Sequence, residues 1–309
     1  MSNIYNSITE LIGKTPIVRL NRIEKEVGIE GELLAKLDYF NPFGSSKDRI
    51  ALEMIEQAEK DGRLKEGYTI IEGTSGNTGI ALSAIAAAKG YDTTIVMPDN
   101  LSSERTAILK GFGAKVIYSE GKLNMAGAGA KVAQLAENRD DVFIPGQGGN
   151  PNNPGAHKKT TGPEIWEDTD GNVDIFIASV GTGGTITGAG EYLKEKKADI
   201  KIIGVEPEGC PLLSRGETGE HKIQGIGGGV IPPVLNQEIY DEIITVTDDD
   251  AYDYARKISR IEGISVGISS GAVLWVGIQA AKRPENNGKR IVLFLPDSGE
   301  RYLSSGIFE

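Results

Sequence analysis

From residue 31 onward the chain alternates short apolar, β-branched runs with longer amphipathic stretches. Tyr68–Glu72 has the composition of a strand, the segment through Ile80 to Lys89 that of a helix, and Asp92–Pro98 that of the next strand. The rhythm continues with a helix near Ser102–Gly111, a strand at Lys115–Ser119, a helix near Met125–Asn138 and a strand at Asp141–Ile144. After the breaker-rich connection Pro145–Ala156, strands are expected at Val173–Val180, Lys201–Glu206, Glu242–Thr247, Ser265–Ile268 and Arg290–Pro296, with helical stretches between them. Strands that alternate with helices pair in parallel through crossover connections, so the expected fold class is α/β, two domains with mostly parallel twisted sheets. Residues 208–235 break the pattern with Pro, many Gly and little periodicity; such an excursion either lies against a ligand or is a flexible surface loop.

Composition narrows the partners. A chain of 309 residues with 39% hydrophobic and 25% charged residues is a globular protein with a sizeable core. Its formal charge of −11 argues against nucleic acid or an anionic membrane, both of which select clustered Lys and Arg, and leaves a small molecule as the expected partner. Residues Met1–Glu10 show no basic region followed by an apolar run, so no secretory signal is expected, and the single cysteine, Cys210, suits a reducing cytoplasm. With two histidines, His157 and His221, there is little material for a metal site or a Ser-His-Asp triad, so no metal is expected and catalysis should use another base.

Three small-residue loops carry the candidate chemistry. In Asn41-Pro42-Phe43-Gly44-Ser45-Ser46-Lys47 turn-forming residues deliver one amine to the start of a helical segment. A helix N-terminus beside that amine favours its neutral form, the form needed for a Schiff base or for taking a proton. Gly181-Thr182-Gly183-Gly184-Thr185 follows an apolar strand and precedes a helix, a junction that presents unpaired N–H groups and a positive dipole end to a phosphate. The third glycine of a dinucleotide fingerprint would fall on Ile186, yet Glu206 sits where a ribose-binding acid belongs, which leaves an NAD-binding Rossmann-type protein as a rival. Thr74-Ser75-Gly76-Asn77-Thr78-Gly79 joins hydroxyls, an amide and helix N–H groups into a cradle for a carboxylate or ring oxygen, or equally into a well-capped helix start.

At these residues the chain closely resembles the cysteine synthase (O-acetylserine sulfhydrylase) family of fold-type II pyridoxal-phosphate enzymes. The resemblance spans nearly the whole length, from Ile12-Gly-Lys-Thr-Pro16 and Asn41-Pro42 through Lys159-Thr-Thr-Gly-Pro-Glu-Ile-Trp166 and Gly267-Ile-Ser-Ser-Gly271 to Leu295-Pro-Asp-Ser-Gly-Glu-Arg-Tyr302. It implies pyridoxal 5'-phosphate as cofactor, with Lys47 as Schiff-base lysine and catalytic base. It further implies Gly181, Thr182, Gly183, Gly184 and Thr185 around the phosphate, Asn77 on the ring hydroxyl and Ser269 facing the ring nitrogen. Thr74, Ser75, Gly76, Thr78 and Gln147 would surround the substrate carboxylate. A serine opposite the ring nitrogen makes the ring a weaker electron sink than an acid would, which suits loss of a β substituent. The implied reaction converts O-acetyl-L-serine and sulfide to L-cysteine and acetate through an α-aminoacrylate.

The family also implies a homodimer and a smaller mobile domain, residues 41–148, with 1–40 and 149–309 forming the larger, cofactor-binding one. A further implied partner is the C-terminus of serine acetyltransferase, docked through the substrate pocket as a regulatory role. Departures from the family pattern at Gly73, Gly148 and Gly229-Val230 bear on the pocket. They keep open a related β-replacement enzyme using O-phosphoserine, serine or cysteine as donor, or homocysteine or cyanide as nucleophile.

Overall fold

The structure, a computed structural model, describes residues 4–74, 76–99 and 103–309. In chain order the first elements are β1 (Ile17–Arg19), α1 (Asn21–Val27), β2 (Glu32–Leu37), α2 (Lys47–Lys60), β3 (Thr69–Gly73), α3 (Asn77–Lys89), β4 (Asp92–Pro98), α4 (Ser103–Gly111), β5 (Lys115–Ser119), α5 (Asn124–Ala136) and β6 (Val142–Phe143). There follow α6 (Asn152–Lys159), α7 (Thr161–Asp168), β7 (Ile175–Ser179), α8 (Gly184–Lys196), β8 (Lys201–Pro207), α9 (Leu212–Arg215), β9 (Glu242–Val246), α10 (Asp248–Glu262), α11 (Ile268–Ala281) and β10 (Arg290–Leu295). They fall into two compact units, one of Met1–Ile12 with Asn41–Asn152, the other of Gly13–Phe40 with Asn153–Glu309.

The first unit holds a four-stranded, all-parallel sheet in the order β5-β4-β3-β6. Its core helix α3 is apolar all round, as a helix covered on several faces must be. Ala81, Leu82 and Ile85 pack with Ala51, Ile55 and Ala58 of α2, while Ile80 meets Ile95 and Leu109. Ile12 packs into the α2–α3 cluster, which is what draws the N-terminal segment into this unit. On the sheet's other face α5 buries Ala128 and Val132 but leaves Gly129 exposed, with nothing within 4 Å of a Cβ placed there. Gly129→Ala is therefore expected to stabilise the protein by about 0.5–1 kcal/mol, the helix-propensity difference, read as a higher denaturant midpoint at unchanged m-value.

The second unit holds six strands in the order β1-β2-β10-β7-β8-β9, parallel throughout except for β1 against β2. Such strands are buried on both faces and read as near-continuous apolar runs. Leu33, Ala35, Ile291 and Leu293 point to a core shared with α10 and α11, whereas Leu34, Val292, Phe176 and Phe294 point to one shared with α7 and α8. Helix α10 carries the signals its sequence predicts: Thr247 accepts the Asp250 N–H, three aspartates fill the first turn, and left-handed Gly263 (φ 72°) ends it.

Several elements differ from the sequence expectation. Ser265–Ile268 is not a strand: Gly267 is the N-cap of α11 and its N–H goes to the Asp297 carbonyl, so extended residues here serve only as the entry to a helix. The run expected as a plain connection up to Ala156 turns helical at Asn152, since Pro154 in a first turn needs no N–H. Helix α3 begins three residues before Ile80, because the small and polar residues Asn77, Thr78 and Gly79 form its first turn. Ser102 lies outside the described residues.

Candidate active site

Lys47 is the first residue of α2. The turn before it closes through the Gly44 N–H on the Asn41 carbonyl at 2.8 Å, with Gly44 at φ 78°, a conformation that favours glycine. Asp48 fixes the loop from the helix side, its carboxylate accepting the Phe43 N–H at 2.7 Å and facing the Ser45 hydroxyl at 3.4 Å. Ser45, Ser46 and Asp48 are buried, while Lys47 is half-buried, its Nζ 3.4 Å from the Ser46 hydroxyl. Side-chain and backbone bonds thus hold the loop that carries the half-buried Lys47.

In the same unit the cradle begins at Thr74, whose N–H reaches the Val96 carbonyl and whose hydroxyl accepts the Gly76 N–H at 3.3 Å. Gly76 is the N-cap of α3 without a side-chain cap, and Asn77 and Thr78 form its first turn. The Thr78 hydroxyl donates to Gln147 Oε1 at 2.6 Å, so the structure joins two residues 69 positions apart. Ser75 lies outside the described residues. Gly148 and Gly229 have open space where a side chain would stand, and Val230 is exposed; Gly73 is closed in by the Ala128 backbone and Val132 at 3.4 Å.

The second unit carries the remaining predicted residues. Gly183 (φ 81°) is the left-handed N-cap of α8, again without a side-chain cap, and the Gly184 N–H has only a long contact, 3.5 Å, to the Thr182 hydroxyl. Thr182 Oγ1 accepts Asn153 Nδ2 at 3.0 Å, and Thr185 Oγ1 lies 3.2 Å from His157 Nε2, whose ring continues to Thr161. The loop has no acidic side chain, and its glycines leave the backbone bare; hydroxyls and N–H groups alone suit a phosphate dianion. The excursion after β8 is tied to this loop rather than loose: Gly227 N–H meets the Val180 carbonyl, and a Cβ on Gly181 would lie 2.4 Å from the Gly225 carbonyl oxygen. Glu206 is not available for a ribose, since its buried carboxylate accepts the Leu213 and Ser214 N–H groups at 2.8 and 2.9 Å. Ser269 is buried in the first turn of α11, beside Ser270, whose buried hydroxyl has no hydrogen-bond partner among the described residues.

Asn153, His157 and the buried pair of Tyr302 and Asp297, 2.5 Å from hydroxyl to carboxylate, support these loops and escaped the sequence reading. Their signal was faint: Asn153 sits in a breaker-rich run, and His157 is one of only two histidines. A cleft of about 790 Å³ in this unit lies elsewhere, lined by residues such as Arg19, Glu32, Glu164 and Arg290. Its basic residues Arg19 and Arg290 are both paired with Glu32, and further carboxylates, Glu167, Asp168 and Asp170, line it.

A glycine-rich loop at a helix start that suits a phosphate, in one α/β unit, and a lysine at a helix start, in the other, are the equipment of a cofactor-dependent enzyme. The model of the pyridoxal-phosphate dependent enzyme family matches residues 8–297. Cysteine synthase from Staphylococcus aureus is 47% identical over 304 residues, 98% of this chain and 97% of that protein. The solved cysteine synthase of Entamoeba histolytica aligns with a TM-score of 0.96 at 48% identity, over 99% of this chain and 91% of its own. A hydrogen sulfide-producing enzyme from Fusobacterium nucleatum aligns with a TM-score of 0.94 at 44% identity, over 97% of this chain and 100% of its own. The chain belongs to the pyridoxal-phosphate dependent enzyme family, and pyridoxal phosphate is its cofactor.

Proposed function

We propose that the protein makes L-cysteine and acetate from O-acetyl-L-serine and sulfide by replacement at the β carbon. The likeness to cysteine synthase over 98% of the chain is the observation that carries this reading, and Lys47 at the head of α2 gives it a chemical centre. Pyridoxal phosphate, when bound, supplies the electron sink that acidifies the α C–H and lets the β substituent depart. Lys47 Nζ would hold its aldehyde, and the same amine would take the α proton and later return it. Residues 181–185 hold the phosphate and Asn77 the ring hydroxyl. Ser269 offers a hydroxyl in place of a carboxylate, so it does not fix a proton on the ring nitrogen.

Thr74, Ser75, Gly76, Thr78 and Gln147 orient the substrate carboxylate, which places the α C–H against Nζ. Residues 41–148 serve as the smaller, mobile domain that closes on substrate and excludes water. A homodimer, a cytoplasmic location and docking of the serine acetyltransferase C-terminus at the carboxylate cradle belong to the same proposal. Among the described residues no helix is long and apolar enough to cross a membrane.

A product assay decides the substrates. O-acetylserine, O-phosphoserine, serine and cysteine are each offered as donor against sulfide, homocysteine and cyanide. Cysteine from O-acetylserine and sulfide, with acetate released one for one, is expected to be fastest. Cystathionine from homocysteine as the main product would retain the reaction type and sink the assignment of the nucleophile.

A further inference from the structure

Glu72 lies on β3 between apolar neighbours and is 4% exposed. A strand interior is served better by an apolar residue, because a carboxylate withdrawn from water must recover its solvation from fixed donors. Glu72 finds two: Oε2 accepts the Gly146 N–H at 2.7 Å, and Oε1 faces the Gln147 N–H at 3.5 Å. Both belong to one turn, in which left-handed Gly146 (φ 63°) accepts the N–H groups of Gly149 and Asn150 at 3.0 Å. The next side chain along, Gln147, is the one that meets Thr78.

We propose that Glu72 is a positioning residue for the substrate carboxylate, its own carboxylate tethering the Gly146–Gln147 turn so that Gln147 and Thr78 stand ready as a pair. This rests on the function proposed above, in which Gln147 and Thr78 hold that carboxylate. Without the tether the turn keeps its internal hydrogen bonds but loses its anchor on β3, and Gln147 no longer has a fixed place beside α3.

The tether is sensitive to protonation. Burial pushes the Glu72 carboxyl up to about 7, with the Gly146 and Gln147 N–H groups acting in the opposite direction. Elements packed on β3 bring few charges among the described residues. β4 has Asp92 at its exposed end, α3 has Lys89 bonded to Glu59, α5 has Lys131 bonded to Gln134, and β6 has none. On α2 the charges are Lys47, Asp48 and Arg49 at its start and Glu53, Glu56, Glu59 and Lys60 beyond. As pH falls through 7 an O–H replaces one acceptor and a turn N–H loses its partner. The affinity for the amino-acid substrate should then fall while the chemistry at Lys47 is untouched.

The test compares the wild-type holoenzyme with Glu72→Gln, which keeps the shape but offers one acceptor and a donor. KM and kcat for O-acetylserine are followed from pH 6 to 8, and the Gly146 amide resonance is followed by NMR over the same range. In the wild type KM is expected to rise as pH falls through about 7, with the Gly146 amide titrating at the same midpoint. In Glu72→Gln, KM should be about tenfold higher at pH 8, kcat within about twofold, and the titration absent, the size expected for one lost charge-assisted hydrogen bond. A KM profile shared by both proteins overturns the proposal and leaves the reaction standing. A wild-type Gly146 resonance that does not move overturns it even if the variant fails to fold. No turnover of O-acetylserine by the wild type overturns the parent function and this role together.

Discussion

Lys47→Ala is expected to lower turnover of O-acetylserine by at least about 10³-fold, because in the proposed function the same amine is both the covalent attachment point and the base. The fold should scarcely notice. The loop before α2 is held by the Gly44 N–H on the Asn41 carbonyl and the Phe43 N–H on the Asp48 carboxylate, bonds that do not involve the lysine side chain. Unfolding of the cofactor-free protein should therefore change by no more than about 0.5 kcal/mol. Borohydride should fix cofactor covalently to the wild type and not to the variant, while both still bind it reversibly through residues 181–185. A variant that retains a borohydride-stable adduct would move the attachment to another amine and remove Lys47 from the centre of the mechanism. Lys47→Arg sharpens the result: it keeps the charge but has no amine able to condense with an aldehyde, so it should behave as the alanine variant does.

Lys47 was legible because its signal is local. Asn41-Pro42 and Gly44 announce a turn, and Lys47-Asp48 opens a stretch with helical periodicity, so placing the amine at a helix start required no knowledge of what packs against it. The same holds for Gly181–Thr185, which follows an apolar run of the kind only a buried parallel strand requires. Glu72 was not legible as more than a strand end, since a carboxylate in β-branched company is equally the exposed residue of an alternating strand. Only the return of the chain at Gly146, 74 positions later, turns it into a buried acceptor. Ser265–Ile268 misled for a related reason: four residues with strand composition are also what a chain uses to enter a helix, and the deciding bond, Gly267 to Asp297, spans 30 residues. The short β1, paired antiparallel to β2, carried too few residues for a periodicity to register.

Gly183→Ala is expected to weaken cofactor binding on the order of 10²-fold. Two costs coincide at this residue: its φ of 81° suits glycine, and a Cβ there would lie 2.7 Å from both Cβ and Cδ1 of Leu235 and 3.2 Å from its Cα. The left-handed conformation costs alanine about 1 kcal/mol and overpacking about 1–3 kcal/mol more. Leu235 is 7% exposed and packs in the core that fills the space between β8 and α8, so it has little room to retreat. The cheaper relief is for the loop to move, and Gly183 is the N-cap of α8, so any shift there re-aims the N–H groups proposed to hold the phosphate. About 2–3 kcal/mol taken from those donors corresponds to a loss of about 30- to 150-fold in affinity. Equilibrium dialysis of pyridoxal phosphate against the wild type, Gly183→Ala and Gly129→Ala checks this, since the last variant adds the same methyl group where nothing meets it. If Gly183→Ala binds as the wild type does and unfolds at the same denaturant concentration, the loop tolerates a side chain at its tightest point and is not the rigid cradle described above.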